Sequence, residues 1–398
     1  MSAAGRRLPA LLGGARAFVR DIPVGQMYFP TWERYEAAMR GIFEREWYTN
    51  HGPLAREAEE RVADVLGVRH ALCVTNGTIG LMMAAKALEL RGRVITSAFT
   101  FVATAQALTW AGLTPVFCDV SPVTHHMTVE TAAAVLDESV CAVHPTNIWG
   151  GTCRPAEFEA FGAENGLAVY FDSAQAFGCR VGGRAVGSFG ALEVFSFHAT
   201  KILGTAEGGC VTTNDDELAE RLRNIRSGYG TRAKVAVPVT SNGRFSEAQA
   251  ALCLLALDDL EERTAHNRAI RSSYVSGMAG IPGIRVVDPP DADPSNEQYA
   301  VVQVDEESFG LNRDALVRAL KAEGINARRY FFPGAHRTPP YDESAPPPGE
   351  LPNVEHICRT VLQLPVGALV DYEDARVIAD LVSDFHADAE RLREAAGG

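Results

Sequence analysis

Two stretches decide how this chain reads: Leu167-Ala-Val-Tyr-Phe-Asp172-Ser-Ala-Gln175 and, with its lysine 29 positions after Asp172, Phe195-Ser-Phe-His-Ala-Thr-Lys201. In the first, an apolar run of strand length ends on a carboxylate. In the second, an apolar strand runs into a lysine, followed by the small-residue segment Gly204-Thr-Ala-Glu-Gly-Gly209. Ligands of open α/β sheets bind beyond the carboxyl ends of the strands, so both charged groups would face one site. A lysine forms imines readily only where burial or a neighbouring charge lowers its ammonium pKa, and a glycine-flanked, hydroxyl-rich segment can supply such a pocket. Each residue alone has a plainer reading, Asp172 as a helix cap and Lys201 as one solvated cation among 37 Lys and Arg.

Outward from this pair the chain alternates strands with helices. Strands are predicted at 71–75, 94–96, 114–119, 142–144, 167–172, 194–197 and 209–213, the last two as a hairpin around the glycine-rich loop. Helices are predicted at 79–90, 102–111, 129–137 and 157–166. Short apolar strands spaced by helices imply an α/β domain whose mostly parallel, seven-stranded sheet is covered on both faces. One long helix over 247–271 closes it. Beyond that, strands at 284–287 and 299–304 and helices at 313–324 and 371–395, interrupted by a Pro-rich loop over 333–352, read as a smaller α+β domain. The resulting division is an N-terminal extension (1–22), expected to be loosely ordered, a large domain (23–270) and a small C-terminal domain (271–398).

Bulk properties narrow the partners. A length of 398 residues with 46% hydrophobic content can bury a large core, and a net charge of −13 argues against nucleic acid or an anionic membrane surface. No apolar run reaches the length of a bilayer span. Eight cysteines without paired short spacings read as free thiols of a reducing cytoplasm, not as disulfides or a metal site.

Asn76-Gly77-Thr78 lies between a strand end and a helix start, where free N–H groups and the helix dipole favour phosphate, although a simple N-cap reads the same way. Phe101 offers a ring face, or merely core packing. Asp172 with Lys201 is less ambiguous. Pyridoxal phosphate (PLP) needs a carboxylate to keep its pyridine nitrogen protonated and a lysine to hold its aldehyde.

On these residues, and on Trp47-Tyr-Thr-Asn-His-Gly-Pro53, Phe99-Thr-Phe-Val-Ala-Thr104, Glu207-Gly-Gly209 and Leu364-Pro365, the chain resembles the DegT/DnrJ/EryC1/StrS family of fold type I sugar aminotransferases from about residue 23 to 382. The resemblance implies Lys201 as Schiff-base lysine and proton shuttle, Asp172 on the pyridine nitrogen and Gln175 on the ring's 3′-oxygen. It implies Gly77, Thr78 and Ser196 on the phosphate and Phe101 against the ring. It also implies that Asn242 reaches the cofactor phosphate of a second subunit, and hence a homodimer with shared sites. Glutamate would donate the amino group, through pyridoxamine phosphate, to a nucleotide-linked keto-sugar.

Phe197-His-Ala-Thr-Lys201, Glu193-Val-Phe195, Asn242-Gly-Arg244 and Arg329-Tyr-Phe331 resemble the branch acting on the C4 ketone of a TDP-linked 6-deoxy sugar, a C3 ketone being the alternative. Gly243 stands where the family commonly has an aromatic residue, and Thr205-Ala206 where it has a glycine pair. Tyr330 and His336 are the expected sugar contacts. Family members that dehydrate C3 carry histidine in place of the lysine, which Lys201 speaks against. A PLP-fold scaffold or regulator is the non-enzymatic rival.

Overall fold

The computed structural model describes residues 7–228, 231, 233–289, 291, 293–344 and 347–395. The first six residues of the expected extension and the last three of the small domain lie outside the described residues.

Seven five-residue strands build the main sheet: β1 (His70–Val74), β2 (Arg93–Ser97), β3 (Thr114–Cys118), β4 (Val140–His144), β5 (Ala168–Asp172), β6 (Leu192–Ser196) and β7 (Gly209–Thr213). Their spatial order is β1-β7-β6-β5-β4-β2-β3. β7 runs antiparallel to β1 and β6, and the other pairs are parallel. The strands are buried along nearly their whole length because helices cover both faces, which explains their continuous Val, Ile, Phe and Cys content. With β7 alone reversed, the carboxyl ends of β1, β2, β4, β5 and β6 share one edge. Gly209 opens β7 at that edge, where a β carbon would come within 2.6 Å of the Gly77 amide nitrogen; only glycine lets β7 and the chain after β1 approach so closely.

A second sheet, β8 (Ile284–Val287), β9 (Ala300–Val304) and β10 (Val361–Leu364), is antiparallel throughout. Val302, Val304, Leu362 and Leu364 pack with Leu316 and Leu320 of the Arg313–Ala322 helix and with Ile378, Val382 and Phe385 of the Tyr372–Ala387 helix.

Several expectations change. The helix expected over 371–395 is two helices, Tyr372–Ala387 and Ala389–Ala395, separated at Asp388. The predicted helix over 247–271 is two helices, Glu247–Asp258 and Leu260–Gly277, meeting at Asp259 (φ −96°, ψ 3°). The Asp259 carboxylate accepts hydrogen bonds from the Tyr28 hydroxyl and, at 2.7 and 2.8 Å, from the Arg34 guanidinium. The second helix continues past residue 270, and its Ile270 and Tyr274, with Met278 just beyond its end, belong to the core of the second sheet. The helix predicted over 129–137 stops at Ala133.

The described part of the N-terminal segment is packed, not loose. Leu11, Leu12, Ala17 and Phe18 lie against the second core, and Ile22–Pro23 pairs in parallel with Ile325–Asn326. The buried Glu323 carboxylate accepts the amide N–H groups of Ala10 at 2.7 Å and Ala17 at 2.8 Å. Leaving such a group unpaired costs about 1–3 kcal/mol or more, so the segment and Glu323 hold each other in place. Among the described residues no helix is long and apolar enough to cross a membrane.

Candidate active site

The strand ends open onto a cavity of about 620 Å³, lined from the main sheet by Gly77, Thr78, Phe101, Asp172, Gln175, Ser196 and Lys201, and from the second unit by Gln298, Tyr299, Arg328 and Tyr330. Beyond Ser196 the β6–β7 ladder continues through an amide bond from Phe197 to the Gly208 carbonyl (2.8 Å) and from Ala199 to Ala206 (2.8 Å). The chain then turns at His198–Lys201, the Lys201 amide donating to the His198 carbonyl at 2.8 Å. Gln298 clamps the turn: its Oε1 accepts from the Ile202 amide at 3.0 Å and its Nε2 donates to the Thr200 carbonyl. The Lys201 ammonium lies 3.5 Å from the Tyr299 hydroxyl. Burial pushes its pKa down to about 8, with Asp172 pulling the other way. An amine that sheds its proton this easily is a nucleophile near neutral pH.

Asp172 ends β5 with its carboxylate fixed on both sides, by the Thr104 hydroxyl at 2.8 Å and the Ala174 amide at 3.1 Å. Both faces of its peptide are bonded too, to Pro145 (3.0 Å) and Asn147 (2.8 Å) of the chain after β4. Beside it the buried His144 ring stacks on Tyr170, centroids 4.0 Å apart, with Nδ1 against the Tyr170 carbonyl at 2.9 Å. Burial lowers the His144 pKa, so the ring is neutral and leaves Asp172 free to act on whatever occupies the cavity. Gln175 accepts the Trp149 amide N–H at Oε1 (2.9 Å), so what it offers a ligand is its amide N–H groups.

After β1, Asn76 caps the Gly77–Ala87 helix, its Oδ1 accepting from the Ile79 amide at 2.9 Å. A β carbon on Gly77 would lie 3.0 Å from the Ser196 Cβ, so glycine keeps open the space between the first turn and Ser196. The unpaired N–H groups of that turn and the Ser196 hydroxyl make a cradle for a dianionic phosphate. A buried amine of lowered pKa, a fixed carboxylate and a glycine-cleared helix N-terminus in one cavity fit PLP.

Of the ten residues expected at the site, eight line this cavity: Gly77, Thr78, Phe101, Asp172, Gln175, Ser196, Lys201 and Tyr330. Asn242 does not; it is exposed. His336, expected to touch the sugar, is a correction. It is buried, its Nε2 3.0 Å from the Glu355 carboxylate and its ring edge-on to Phe117. The Pro-rich loop folds back onto the main sheet, the Ala335 amide donating to the Ala98 carbonyl at 2.9 Å, and this carries His336 into the core. Sequence reasoning missed Thr104, Gln298, Tyr299 and Arg328. Thr104 carries a signal, since it lies one helical turn beyond Thr100 in the stretch already singled out. The other three come from the second unit, whose register against the first is not written locally.

The DegT/DnrJ/EryC1/StrS aminotransferase family model matches residues 32–383. The chain is 33% identical over 315 residues to dTDP-4-amino-4,6-dideoxy-D-glucose transaminase of Shigella dysenteriae, covering 79% of this chain and 85% of that one. It is 33% identical over 354 residues to dTDP-3-amino-3,4,6-trideoxy-alpha-D-glucose transaminase of Streptomyces venezuelae, covering 86% and 89%. The crystal structure of DesI in the presence of its TDP-sugar product superposes with a TM-score of 0.90 at 39% identity, over 97% of each chain. This chain belongs to the DegT/DnrJ/EryC1/StrS aminotransferase family and is a PLP-dependent enzyme.

Proposed function

We propose that this enzyme moves the amino group of L-glutamate to the C4 keto carbon of a TDP-linked 6-deoxy sugar, supplying an amino sugar for natural-product or glycan biosynthesis. The observation that carries the chemistry is Lys201, a buried amine of lowered pKa in one cavity with Asp172 and the Gly77–Ser196 cradle. The sugar-nucleotide reading rests on the named relatives, and the C4 position on the Phe197–Lys201 and Arg329–Phe331 segments. The Streptomyces relative favours a second reading, a C3 ketone.

Bound PLP supplies an electron sink and carries the amino group between the two substrates. Asp172 would hold the proton on the pyridine nitrogen, with Thr104 and the Ala174 amide fixing its carboxylate. Gln175 would donate to the 3′-oxygen, the Gly77 and Thr78 amides and the Ser196 hydroxyl would hold the phosphate, and Phe101 would pack against the ring. Lys201 would hold the aldehyde and is the base placed to move the proton at the donor's α carbon and, in the second half-reaction, at the sugar carbon. Tyr299 sits within reach to orient the lysine amine between these tasks. Tyr330 lines the sugar end.

The working unit is a homodimer in which Asn242 completes the partner's phosphate site. Support comes from its exposure outside its own cavity and from aromatic side chains left exposed on the same chain: Phe29 is 80% exposed, Trp32 66% and Phe43 61%. Large apolar side chains left in water are candidates for burial against a second subunit. All eight cysteines are free, in keeping with a cytoplasmic setting.

The test is an assay of purified holoenzyme with L-glutamate against TDP-linked 4-keto and 3-keto sugars. Turnover of the 4-keto sugar at the higher kcat/KM is expected. Preference for a 3-keto sugar would move the reading to its alternative, and no change in cofactor absorbance with any amino donor would refute it.

A further inference from the structure

The stretch that carries Lys201 is not held by regular structure. Residues 200–204 lie in neither strand nor helix, so no ladder fixes their peptides. Side chains fix them instead. In the peptide before the Lys201 Cα, the Thr200 carbonyl accepts from Gln298 Nε2 and the Lys201 amide donates to the His198 carbonyl at 2.8 Å. In the peptide after it, the Ile202 amide donates to Gln298 Oε1 at 3.0 Å and the Lys201 carbonyl accepts from Arg263 Nη2 at 3.4 Å. Arg263 Nη1 donates to the next carbonyl, that of Ile202. One planar fork thus spans two successive peptides, which a guanidinium can do and a point-like ammonium cannot.

Arg263 is itself held in place. It lies one turn into the Leu260–Gly277 helix, its amide donating to the Asp259 carbonyl at 3.1 Å, so its direction follows from the break at Asp259. Its guanidinium carbon sits 4.4 Å from the centroid of the Tyr28 ring. Tyr28 gives its hydroxyl to the Asp259 carboxylate and its amide to the Ala199 carbonyl at 3.2 Å, and so brackets both the arginine and the turn. Burial lowers the Arg263 pKa to about 10, which leaves it a cation at neutral pH. None of its guanidinium hydrogen bonds goes to a carboxylate among the described residues; they go to the Lys201 turn. Burying a charged group is unfavourable unless its donors are used, and here that use falls on the carbonyls that follow the Lys201 Cα.

We propose that Arg263 is a positioning residue for the reaction: with Gln298 it locks the main chain on both sides of the Lys201 Cα, so that one amine reaches the cofactor aldehyde and the proton-bearing carbons in turn. It acts through Lys201, since it does not itself line the active-site cavity. The proposal rests on the reading of Lys201 as the cofactor lysine and adds the device that aims it.

The experiment compares R263M, R263K and wild type in two arms. The first follows capture of added PLP by the cofactor-free full chain across pH. R263M is expected to capture it roughly 10- to 100-fold more slowly, as a misplacement of about 1 Å can bring. The midpoint should stay near pH 8, because burial and Asp172 set it. The second arm follows cofactor absorbance of the holoenzymes with L-glutamate and with L-glutamate deuterated on its α carbon, rates being normalised to bound cofactor. R263M should lower the maximal rate with KM near the wild-type value, and deuteration should slow it at least as much as it slows the wild type, proton transfer by a misplaced lysine being the slow step. R263K, which keeps the cation but not the fork, should recover part of the capture and turnover rates. Unchanged rates per bound cofactor, with activity lost only as cofactor or folded protein is lost, would make Arg263 a brace for stability and overturn the proposal. A change confined to KM, or a smaller isotope effect than the wild type's, would overturn it as well. A wild-type enzyme whose absorbance L-glutamate leaves unmoved would sink the donor assignment above, and the capture arm would still decide the role of Arg263.

Discussion

At the scale of single residues, burial turns Lys201 from an ordinary cation into a nucleophile. Its pKa falls from the usual 10.5 to about 8 because the cavity strips water from the ammonium. The sign follows: the folded state binds this proton less tightly than the unfolded chain, so burial destabilises cofactor-free protein below pH 8, and the penalty fades between 8 and 10.5. Cofactor-free K201M should therefore melt higher than the cofactor-free wild type at pH 7, with the gap narrowing towards pH 10, while turnover is lost. In the wild type, the rate at which added PLP is captured should rise with pH through about 8 and then level off. A pH-independent capture rate would mean that the amine is not desolvated as described. The Asp172–Lys201 pairing was legible because Asp172 ends an apolar strand and Lys201 follows the end of one, and strand ends can be read locally. Arg263 was not, since nothing in its own neighbourhood says which turn of the chain its guanidinium meets.

At the scale of elements, the site depends on how β5 and β6 are joined, and Glu193 in β6 does much of that joining. It is fully buried; one carboxylate oxygen accepts the amides of Gly187 (2.6 Å) and Phe189 (2.9 Å) and the other accepts the Ser173 hydroxyl. Ser173 follows Asp172 and accepts from Asn147 at 2.9 Å, which ties the chain after β4 into the same network. Desolvation pushes the Glu193 pKa up to about 7 despite these bonds. A carboxyl whose folded pKa is raised stabilises fully below its unfolded pKa, near 4.5, and loses that contribution as pH climbs through 7. Glutamine keeps the acceptor for both amides and never ionises. The stability of E193Q relative to wild type should thus improve by ~1–3 kcal/mol between pH 5 and pH 8, with activity retained, as thermal melts at the two pH values would read. A relative stability that does not move with pH would contradict the picture. The Asp259 break between the two long helices was hidden for a related reason. Their apolar spacing is continuous, and the interruption is held by Tyr28 and Arg34 from more than 200 positions away.

At the scale of the whole molecule, shared sites make a prediction that no single chain can satisfy. K201A and N242A should each be weak or inactive alone, and mixing them under conditions that exchange subunits should restore up to about a quarter of wild-type activity, because one site of the mixed dimer has Lys201 from one chain and Asn242 from the other. A mixture no more active than its parts, with exchange verified by differently tagged chains, would place Asn242 outside the partner's site. The sequence by itself determined the α/β alternation and the sheet edge that carries the chemistry, with Gly77, Thr78, Asp172 and Lys201 on it, since each follows from a local pattern: an apolar strand, then a turn with a cap, a carboxylate or a lysine; Phe101, Gln175, Ser196 and Tyr330 came from the family resemblance. Only the tertiary structure decided the rest. It packed the N-terminal segment around Glu323, drew His336 under Glu355 and away from the cavity, and set Arg263 across the carbonyls of Lys201 and Ile202. Those outcomes depend on which buried charges find partners across hundreds of residues, and that pairing is settled by packing, which no local stretch of chain encodes.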